Sequence, residues 1–277
     1  MTWDPDKADA PMPPLGLRTK VIFALRAIPF ASIIVICLLL LVILRYPERA
    51  IYGMHRPFTP YLTQFVCRMF FVITGIGLKI TGKPMDDHGA IVANHASWSD
   101  IFTLHAAKRV YYVSKAEVRG WPGIGILARA TGTIFINRVR AEAKQQQQVL
   151  SDRLTIGHKL LFFPEGTSTD AVRVLPFKTT LFSAFYAPEL RDTLKIQPVT
   201  VIYHAPKGKE PTFYGWWGEM EFAWHLVRVI GQMPQGSVEV VYHPPMNVSD
   251  FPDRKALAKA SEDIVRSAMP PERQIID

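Results

Sequence analysis

The chain has 277 residues, and 48% of them are hydrophobic, so it can bury a large core and is not disordered over most of its length. Its formal net charge is +8 at pH 7, and this excess favours an anionic partner surface, either a nucleic acid or the headgroups of anionic lipids. The chain has two cysteines, and nothing indicates a disulfide framework.

The N-terminal part of the chain contains a long apolar segment. Residues 1–17 are polar and rich in proline, which predicts a flexible lead. Residues 27–44 then form eighteen consecutive positions without a charge, close to the roughly 20 that cross a bilayer core. A cleaved signal peptide fits less well, because residues 45–49 are charged and do not form a small-residue cleavage site. We favour a membrane segment over the other alternative, a buried core helix.

A second apolar stretch, at residues 61–80, carries Arg68 near its centre, where a charge would be costly in the middle of a bilayer. We therefore expect this stretch at the membrane interface or packed on the protein. Basic residues flank the first segment on both sides, whereas a span normally shows an asymmetry. This balance favours a hairpin that enters one leaflet, and a single crossing is the alternative. The two segments together predict a membrane-anchoring helical pair at residues 18–80.

Residues 81–277 alternate short apolar runs with helix-like segments, which indicates an α/β domain with a mixed, largely buried sheet flanked by helices. The strands are short, rich in β-branched or aromatic residues and ended by polar or turn residues. We predict strands at 90–93, 110–113, 133–136, 159–163, 195–203 and 238–242. We predict helices at 97–107, 141–154, 178–190, 219–230 and 254–268.

Two polar motifs follow predicted strands, at the place where ligands gather in open α/β sheets. The first is Asn-His-Ala-Ser-Trp-Ser-Asp at 94–100, and the second is Phe-Pro-Glu-Gly-Thr at 163–167. In the first motif His95 could remove a proton from an alcohol, and Asp100 could fix the tautomer of its ring. A spacing of five is about 140° out of phase on a helix, so the pair can meet only if His95 precedes the helix or lies in its first turn. The alternative is a helix cap beside a structural histidine.

Other chemistries lack their motifs in this sequence. There is no Gly-x-Ser-x-Gly elbow, and both cysteines, Cys37 and Cys67, lie in the apolar segments. Neither His-Glu-x-x-His nor Cys-x-x-Cys occurs, and a glycine motif for a dinucleotide or a phosphate is also missing, so we expect no metal and no cofactor. The basic residues form no cluster that would bind nucleic acid, and the membrane segment explains the charge more simply.

Four blocks in this order resemble the motifs of the glycerolipid acyltransferase family, which contains the bacterial lysophosphatidate acyltransferases. Residues 94–100 look like the first motif, with its histidine and aspartate in place. Residues 132–138 (Gly-Thr-Ile-Phe-Ile-Asn-Arg) look like the second, residues 163–167 like the third and residues 196–199 (Ile-Gln-Pro-Val) like the weaker fourth. The resemblance covers about residues 82–203. It implies a glycerol-phosphate acyltransferase-like α/β fold preceded by a membrane-embedded two-helix motif.

The resemblance also implies the reaction, in which a fatty acyl group moves from a thioester on acyl carrier protein or coenzyme A to the hydroxyl of a lysolipid. His95 would be the general base and Asp100 its partner, with no covalent acyl-enzyme, and Pro198 would end a strand beside the acyl pocket. The other residues that would hold the substrate or shape the site are Asn94, Phe135, Arg138, Glu165, Gly166 and Thr167.

We expect the enzyme on the bacterial inner membrane, with its catalytic domain facing the cytoplasm, where acyl thioesters are made. The basic surface would suit both anionic lipids and an acidic carrier protein.

One position departs from the pattern of phosphatidate-forming members, which usually carry an arginine after Glu-Gly-Thr as a fork for phosphate. Here that residue is Ser168. Residues 163–178, with 214–220 downstream, look more like the branch that acylates lyso-aminolipids, the bacterial lyso-ornithine lipid acyltransferases. The sequence therefore favours a lyso-aminolipid acceptor, for which Glu219 or Glu221 would help to recognise a cationic headgroup. A lysophosphatidic acid acceptor is the first alternative, and a non-catalytic lipid-binding membrane protein is the second.

Overall fold

The computed structural model describes residues 12–137 and 143–274 of the chain. The helices are α1 Leu17–Tyr52, α2 Thr59–Thr74, α3 Asp100–Ala107, α4 Ile124–Thr131, α5 Ala143–Thr155, α6 Phe222–Ile230 and α7 Arg254–Ser267. The strands are β1 Gly77–Thr81, β2 Gly89–Ala93, β3 Tyr111–Lys115, β4 Ile134–Ile136, β5 Leu160–Phe162, β6 Lys195–His204, β7 Ser237–Tyr242 and β8 Met246–Asn247.

The strands form one sheet in the order β1-β7-β6-β2-β5-β3-β4, and β8 pairs with β6 on the side of β7. The neighbouring strands β6, β2, β5, β3 and β4 are parallel. β7 and β8 run antiparallel to β6, and β1 lies at the edge, parallel to β7. The predicted mixed sheet is confirmed. Because β2, β5 and β6 are parallel, their carboxyl ends lie at the same end of the sheet.

Helices cover both faces of this sheet. β2 is buried along its whole length, and its side chains alternate between two cores. Ile91 and Ala93 face a core formed with α1, α2, α3 and α6, whereas Ala90 and Val92 face a core formed with α5, α7 and a 3₁₀ helix at Leu181–Tyr186. A strand that is buried on both faces is apolar throughout, which explains the run Ala-Ile-Val-Ala.

Helix α1 is 36 residues long, which corresponds to about 54 Å. Of the described helices, it is the one whose length and composition would allow it to cross a membrane. Its inner side packs on α2 and α6, and Arg26 Nη1 donates to the carbonyls of Ile230 and Gln232 at 2.8 and 2.7 Å. Its outer side exposes large apolar side chains, among them Leu25 at 71% and Ile43 at 65%. So extensive an exposed apolar face indicates membrane association.

The second apolar stretch is helical over a shorter length than the sequence indicated. Helix α2 ends at Thr74, because Gly75 adopts the left-handed conformation (φ 76°) and its N–H closes the last turn on Phe71. The chain then enters β1, which pairs with β7. Arg68 packs on the protein, where its Nε donates to the carbonyl of Ala106 on α3 at 3.2 Å.

One predicted helix is wrong. In place of a helix at 178–190, the structure has the 3₁₀ helix at Leu181–Tyr186. Pro188 explains where this segment ends, because a proline disfavours helical backbone at the residue before it, and Ala187 is extended (φ −61°, ψ 136°).

The other predicted elements are present, with ends that shift by a few residues. Helix α3 begins at Asp100 rather than at residue 97, and α6 begins at Phe222 rather than at residue 219. The helix predicted from residue 141 is seen from Ala143, since residues 141 and 142 lie outside the described part. Three elements were not predicted: β8 has two residues, α4 is short and glycine-flanked, and β1 continues an apolar stretch.

Candidate active site

Asn94 fixes the chain where it leaves β2. Its Nδ2 donates to the carbonyl of Val201 at 3.0 Å, and its Oδ1 accepts from the N–H of the same residue at 2.8 Å. The side chain is buried, at 1% exposure of the residue. Both halves of the amide are therefore used on β6, so the visible role of Asn94 is to join two strands beneath the site. A contact with substrate stays a prediction.

Asp100 gathers the turn that follows β2. Its Oδ2 accepts from His95 Nδ1 at 2.7 Å and from the backbone N–H groups of Ala96 and Ser97 at 2.7 and 3.0 Å. Asp100 is also the first residue of α3. The chain thus curls back so that the residue at the helix start reaches the histidine, and the helix-start role and the pairing with His95 belong to the same carboxylate.

Tyr203 supplies a further donor to this carboxylate from the end of β6. Its hydroxyl donates to Asp100 Oδ1 at 2.7 Å and lies 2.8 Å from Ser99 Oγ. Burial, with the Asp100 charge adding to it, holds the pKa of Tyr203 well above its usual range, so the phenol stays a donor. The sequence did not reveal Tyr203, because 103 residues separate it from Asp100 and only the pairing of β6 with β2 brings them together.

The imidazole of His95 is held on one face and open at one end. Its ring stacks on Phe163, with the ring centres 4.0 Å apart and an angle of 10° between the planes. An ionised carboxylate can only accept, so Nδ1 donates to Asp100 and, in the neutral ring, Nε2 carries the lone pair. The side chain is 20% exposed, whereas that of Asp100 is fully buried. This arrangement leaves a base that a substrate hydroxyl can reach.

Glu165, in the Phe-Pro-Glu-Gly-Thr motif at residues 163–167, holds the backbone of His95. Its Oε1 accepts from the His95 N–H at 2.6 Å and its Oε2 from the Leu175 N–H at 2.8 Å. Burial raises the pKa of Glu165 to about 8, against the lowering effect of these two hydrogen bonds. On the other side, the Thr169 N–H donates to the His95 carbonyl at 2.9 Å. Both carboxylate oxygens thus serve the main chain, and a direct contact of Glu165 with the acceptor stays a prediction.

The other residues predicted for the substrate lie around this centre. Gly166, with φ 76°, turns the chain after Glu165, and its N–H donates to the Phe163 carbonyl. Thr167 is buried, and Phe135 is half-buried in β4. Arg138 lies outside the described residues.

Pro198 does not end a strand, so that prediction is wrong. It is the fourth residue of β6, buried and aligned with Val92 of β2. Its carbonyl accepts from His243 N–H, so its nitrogen also points towards the β7 and β8 side. On that side β6 pairs with β8 up to Ile196 and with β7 from Val199 onwards. Pro198 lies between the two pairings, where the N–H that proline lacks is not needed for a strand hydrogen bond.

Two further segments flank the turn at residues 95–100, and no motif or spacing in the sequence indicates that they meet there. In the first, Asp170 Oδ2 pairs with Arg173 Nε at 3.0 Å, next to Thr169. Between them Ala171 is held at φ 67°, a left-handed conformation that is costly outside glycine. In the second, the Trp216 N–H donates to the Ala96 carbonyl at 3.0 Å. An ion pair therefore lies one residue from the backbone contact with His95.

The first motif is also tied to α6. Trp98 Nε1 donates to His225 Nδ1 at 2.8 Å, and both side chains are buried. Glu219 and Glu221, proposed from the sequence to bind a cationic headgroup, are exposed just before α6. Across the described residues, no group of three or more His, Cys, Asp and Glu side chains could hold a metal ion.

Comparison with known proteins assigns this chain to a family. Residues 79–202 match the family model described as acyltransferase. The chain is 53% identical, over 96% of both proteins, to the lyso-ornithine lipid O-acyltransferase of Rhodobacter capsulatus. It belongs to the acyltransferase family. The lyso-ornithine lipid O-acyltransferase of Brucella abortus is 35% identical to this acyltransferase, over 78% of this chain and 83% of that protein.

More distant relatives share parts of the sequence or the fold. The 1-acyl-sn-glycerol-3-phosphate acyltransferase of Neisseria gonorrhoeae is 29% identical over 70% of this acyltransferase and 75% of its own length. The crystal structure of the 1-acyl-sn-glycerophosphate acyltransferase of Thermotoga maritima matches with a TM-score of 0.61 at 20% identity, covering 91% of this chain and 96% of that one. The predicted fold class and the predicted acyltransferase activity are therefore confirmed.

Replacing Tyr203 should slow the enzyme without weakening substrate binding. Tyr203→Phe keeps the ring but removes the donor to Asp100 Oδ1. We expect kcat to fall about tenfold, equivalent to ~1.4 kcal/mol, with KM nearly unchanged in steady-state kinetics. The control is Tyr214→Phe, whose hydroxyl donates to Gln235 Oε1 at 2.7 Å, so that variant should lose stability but keep its kcat. Equal losses of kcat in the two variants would contradict a specific role of Tyr203.

Stability should fall in acid because of His225. Burial lowers the pKa of His225 to about 3, and its Nδ1 must stay unprotonated to accept from Trp98. The unfolded chain takes up this proton first, near pH 6.5, so the contribution is complete above that pH and is lost as the pH falls below it. His225→Gln can still accept without titrating. The free energy of unfolding, measured with denaturant between pH 7 and 4.5, should fall by up to ~1.4 kcal/mol per pH unit more in wild type than in this variant. An equal fall in the two proteins would refute the assignment.

Proposed function

We propose that the enzyme moves a fatty acyl group from a thioester, on acyl carrier protein or coenzyme A, to the hydroxyl of a lyso-aminolipid such as lyso-ornithine lipid. The observation that carries this proposal is the His95–Asp100 pair, 2.7 Å apart, with an exposed base at the carboxyl edge of the sheet. The name of the relative at 53% identity supports the acceptor.

In the proposed mechanism, His95 Nε2 takes the proton of the acceptor hydroxyl as the oxygen attacks the thioester carbonyl. The buried Asp100 carboxylate stabilises the imidazolium that forms, and its own orientation is set by Tyr203 and the turn. The new carbon–oxygen bond replaces the carbon–sulfur bond, and the proton passes from His95 to the leaving thiolate. No side chain becomes acylated in this sequence.

The residue after the third motif supports an acceptor without a phosphate. Ser168 is 8% exposed and occupies the place where the phosphatidate-forming members carry an arginine. A hydroxyl supplies no charge to a phosphate, so this position lacks the fork that a lysophosphatidate would need. Lysophosphatidic acid remains the second candidate, because the Neisseria relative is named for that activity.

We further propose that the enzyme sits on the cytoplasmic face of the bacterial inner membrane, held by α1 and α2. The exposed apolar side of α1 supports the anchor. Helices α1 and α2 pack on each other, and α1 also packs on α6 of the α/β domain, an arrangement that suits a hairpin in one leaflet. The cytoplasmic side is the one on which acyl thioesters are available.

The acceptor and the base can be tested together with purified full-length enzyme. A labelled acyl-acyl-carrier-protein thioester is offered with lyso-ornithine lipid or lysophosphatidic acid, and the transferred label is counted. We expect the aminolipid to be the better acceptor, and His95→Ala to lower kcat by about 10²- to 10⁴-fold. His204→Ala, at an exposed histidine, is the matched control and should keep its activity. Preference for lysophosphatidic acid would reject the acceptor, and an active His95→Ala enzyme would reject the mechanism.

The Asp170–Arg173 ion pair suits the charges of an ornithine headgroup, which bears an ammonium and a carboxylate. We assign such an ammonium to Asp170, because its partner Arg173 would meet the carboxylate of the same headgroup. Asp170 Oδ2 accepts from Arg173 and Oδ1 from the Val172 N–H at 3.1 Å, and each oxygen keeps a further lone pair. Asp170→Asn should raise the KM for lyso-ornithine lipid about tenfold and leave the KM for the acyl donor unchanged. Asp192→Asn, at an exposed loop residue, is the control. If the paired change Glu219→Gln and Glu221→Gln raises this KM instead, the headgroup binds before α6 and not at Asp170.

A further inference from the structure

Two arginines lie together at the edge of the sheet opposite His95. Arg56 follows α1, and Arg153 is on α5. Their guanidinium carbons lie 6.0 and 4.9 Å from the ring centre of Tyr111, the first residue of β3. His95 follows the end of the parallel strand β2, whereas Tyr111 begins one, so this cluster does not belong to the catalytic site.

Backbone carbonyls at the end of α4 hold both side chains in place. Arg56 Nη1 donates to the Ala130 carbonyl and Arg153 Nη2 to the Gly132 carbonyl, each at 3.0 Å. Gly132 has φ 86°, and a Cβ there would lie 2.9 Å from Arg56 Nη1, so glycine also makes room for the guanidinium. Arg153 Nε donates to His158 Nδ1 at 2.6 Å. The two arginines are therefore fixed before any ligand arrives.

The charge of this cluster is not balanced. In the described ranges, no carboxylate lies within 4 Å of either guanidinium, and Glu48 is already used by Arg45 and by Thr59. Burial, together with the positive charge of Arg45, lowers the pKa of Arg56, and burial also lowers that of Arg153. Half-buried cations without an anion are costly, which points to a partner that brings the negative charge.

The unused donors indicate what that partner is. Arg56 donates one of the hydrogen bonds described above and Arg153 donates two, although each guanidinium has five N–H groups. Planar forks of this kind bind phosphate oxygens in pairs. The cluster also stands just beyond the end of α1, where the apolar outer side of that helix stops and headgroups would begin.

We propose that Arg56 and Arg153 form a binding site for a phosphate group, from the headgroup of an anionic phospholipid or from free phosphate, at the C-terminal end of α1. The lipid source rests on the proposed membrane association and is independent of the acyl acceptor. A phosphate in this site would join the α1–α2 connection to the end of α4 and to α5, and so fix the helical pair against the α/β domain.

The test uses full-length enzyme in neutral detergent micelles and follows its thermal unfolding midpoint. Phosphatidylglycerol is added in one arm and phosphatidylcholine in a second. Sodium phosphate is compared with sodium chloride at equal ionic strength in a third. We expect phosphatidylglycerol or phosphate to raise the midpoint of wild type. Arg56→Gln and Arg153→Gln should need at least about tenfold more ligand for half of that rise. Arg254→Gln, at an exposed arginine at the start of α7, removes the same charge and should respond like wild type.

The arms separate the sources of the phosphate group. A response to phosphatidylglycerol alone assigns the site to a lipid headgroup, a response to phosphate alone assigns it to the free anion, and a response to both assigns it to the group they share. Equal ligand responses in wild type and both glutamine variants, or no response of wild type to either, would overturn the proposal. If Arg56→Gln does not fold, Arg153→Gln and the charge-preserving Arg56→Lys carry the test, and the lysine variant should fall between wild type and Arg153→Gln. Acyl transfer is not needed for this readout, so a failed acceptor proposal would leave it intact.

Discussion

The carboxylate of Asp100 is the point on which the site depends. It is fully buried, and such a charge is tolerated in a protein interior only when donors surround it. Here the donors come from three parts of the fold: the His95 ring, two backbone N–H groups of the turn and the phenol of Tyr203 on β6. The same interaction that satisfies a buried anion therefore fixes the ring tautomer of His95, starts α3 and attaches both to β6.

The buried side chain of Glu165 has a similar role for the backbone. Glu165 connects the N–H of His95 with that of Leu175, so the loop after β5 is held to the loop after β2. Asn94 joins the end of β2 to β6 in a similar way, through two hydrogen bonds to the backbone of Val201. Three polar side chains that are nearly or fully buried thus join β2, β5 and β6 at one edge. Hydrogen bonds offset the cost of removing these groups from water. As a result, the peptide groups on both sides of His95 are held in place.

The sequence predicted what is local and missed what is brought together by topology. The run Ala-Ile-Val-Ala and the apolar character of α1 lie within single segments, so their pattern was enough. The spacing of His95 and Asp100 left a helix cap as the alternative, and the resemblance to the family motifs favoured the pair. Tyr203 and the Asp170–Arg173 pair reach the site only through strand pairing and loop packing, which no spacing reveals. For Pro198 the resemblance to the family implied a strand end, whereas here a change of partner strand accommodates the proline within β6. Helix α4 was missed because its flanking glycines resemble a loop.

The stacking of Phe163 on His95 also bears on how the thioester of the proposed reaction would be protected from water. With one face of the imidazole covered at 4.0 Å and Nδ1 bonded to Asp100, a proton donor can approach the free nitrogen only from the open end of the ring. Tyr112 continues the aromatic stack behind Phe163, at 6.2 Å between ring centres. A water molecule that approached from the face covered by Phe163 would not reach a basic nitrogen. In the proposed mechanism, the aromatic stack would limit which hydroxyl groups reach the base and would disfavour hydrolysis of the thioester by water.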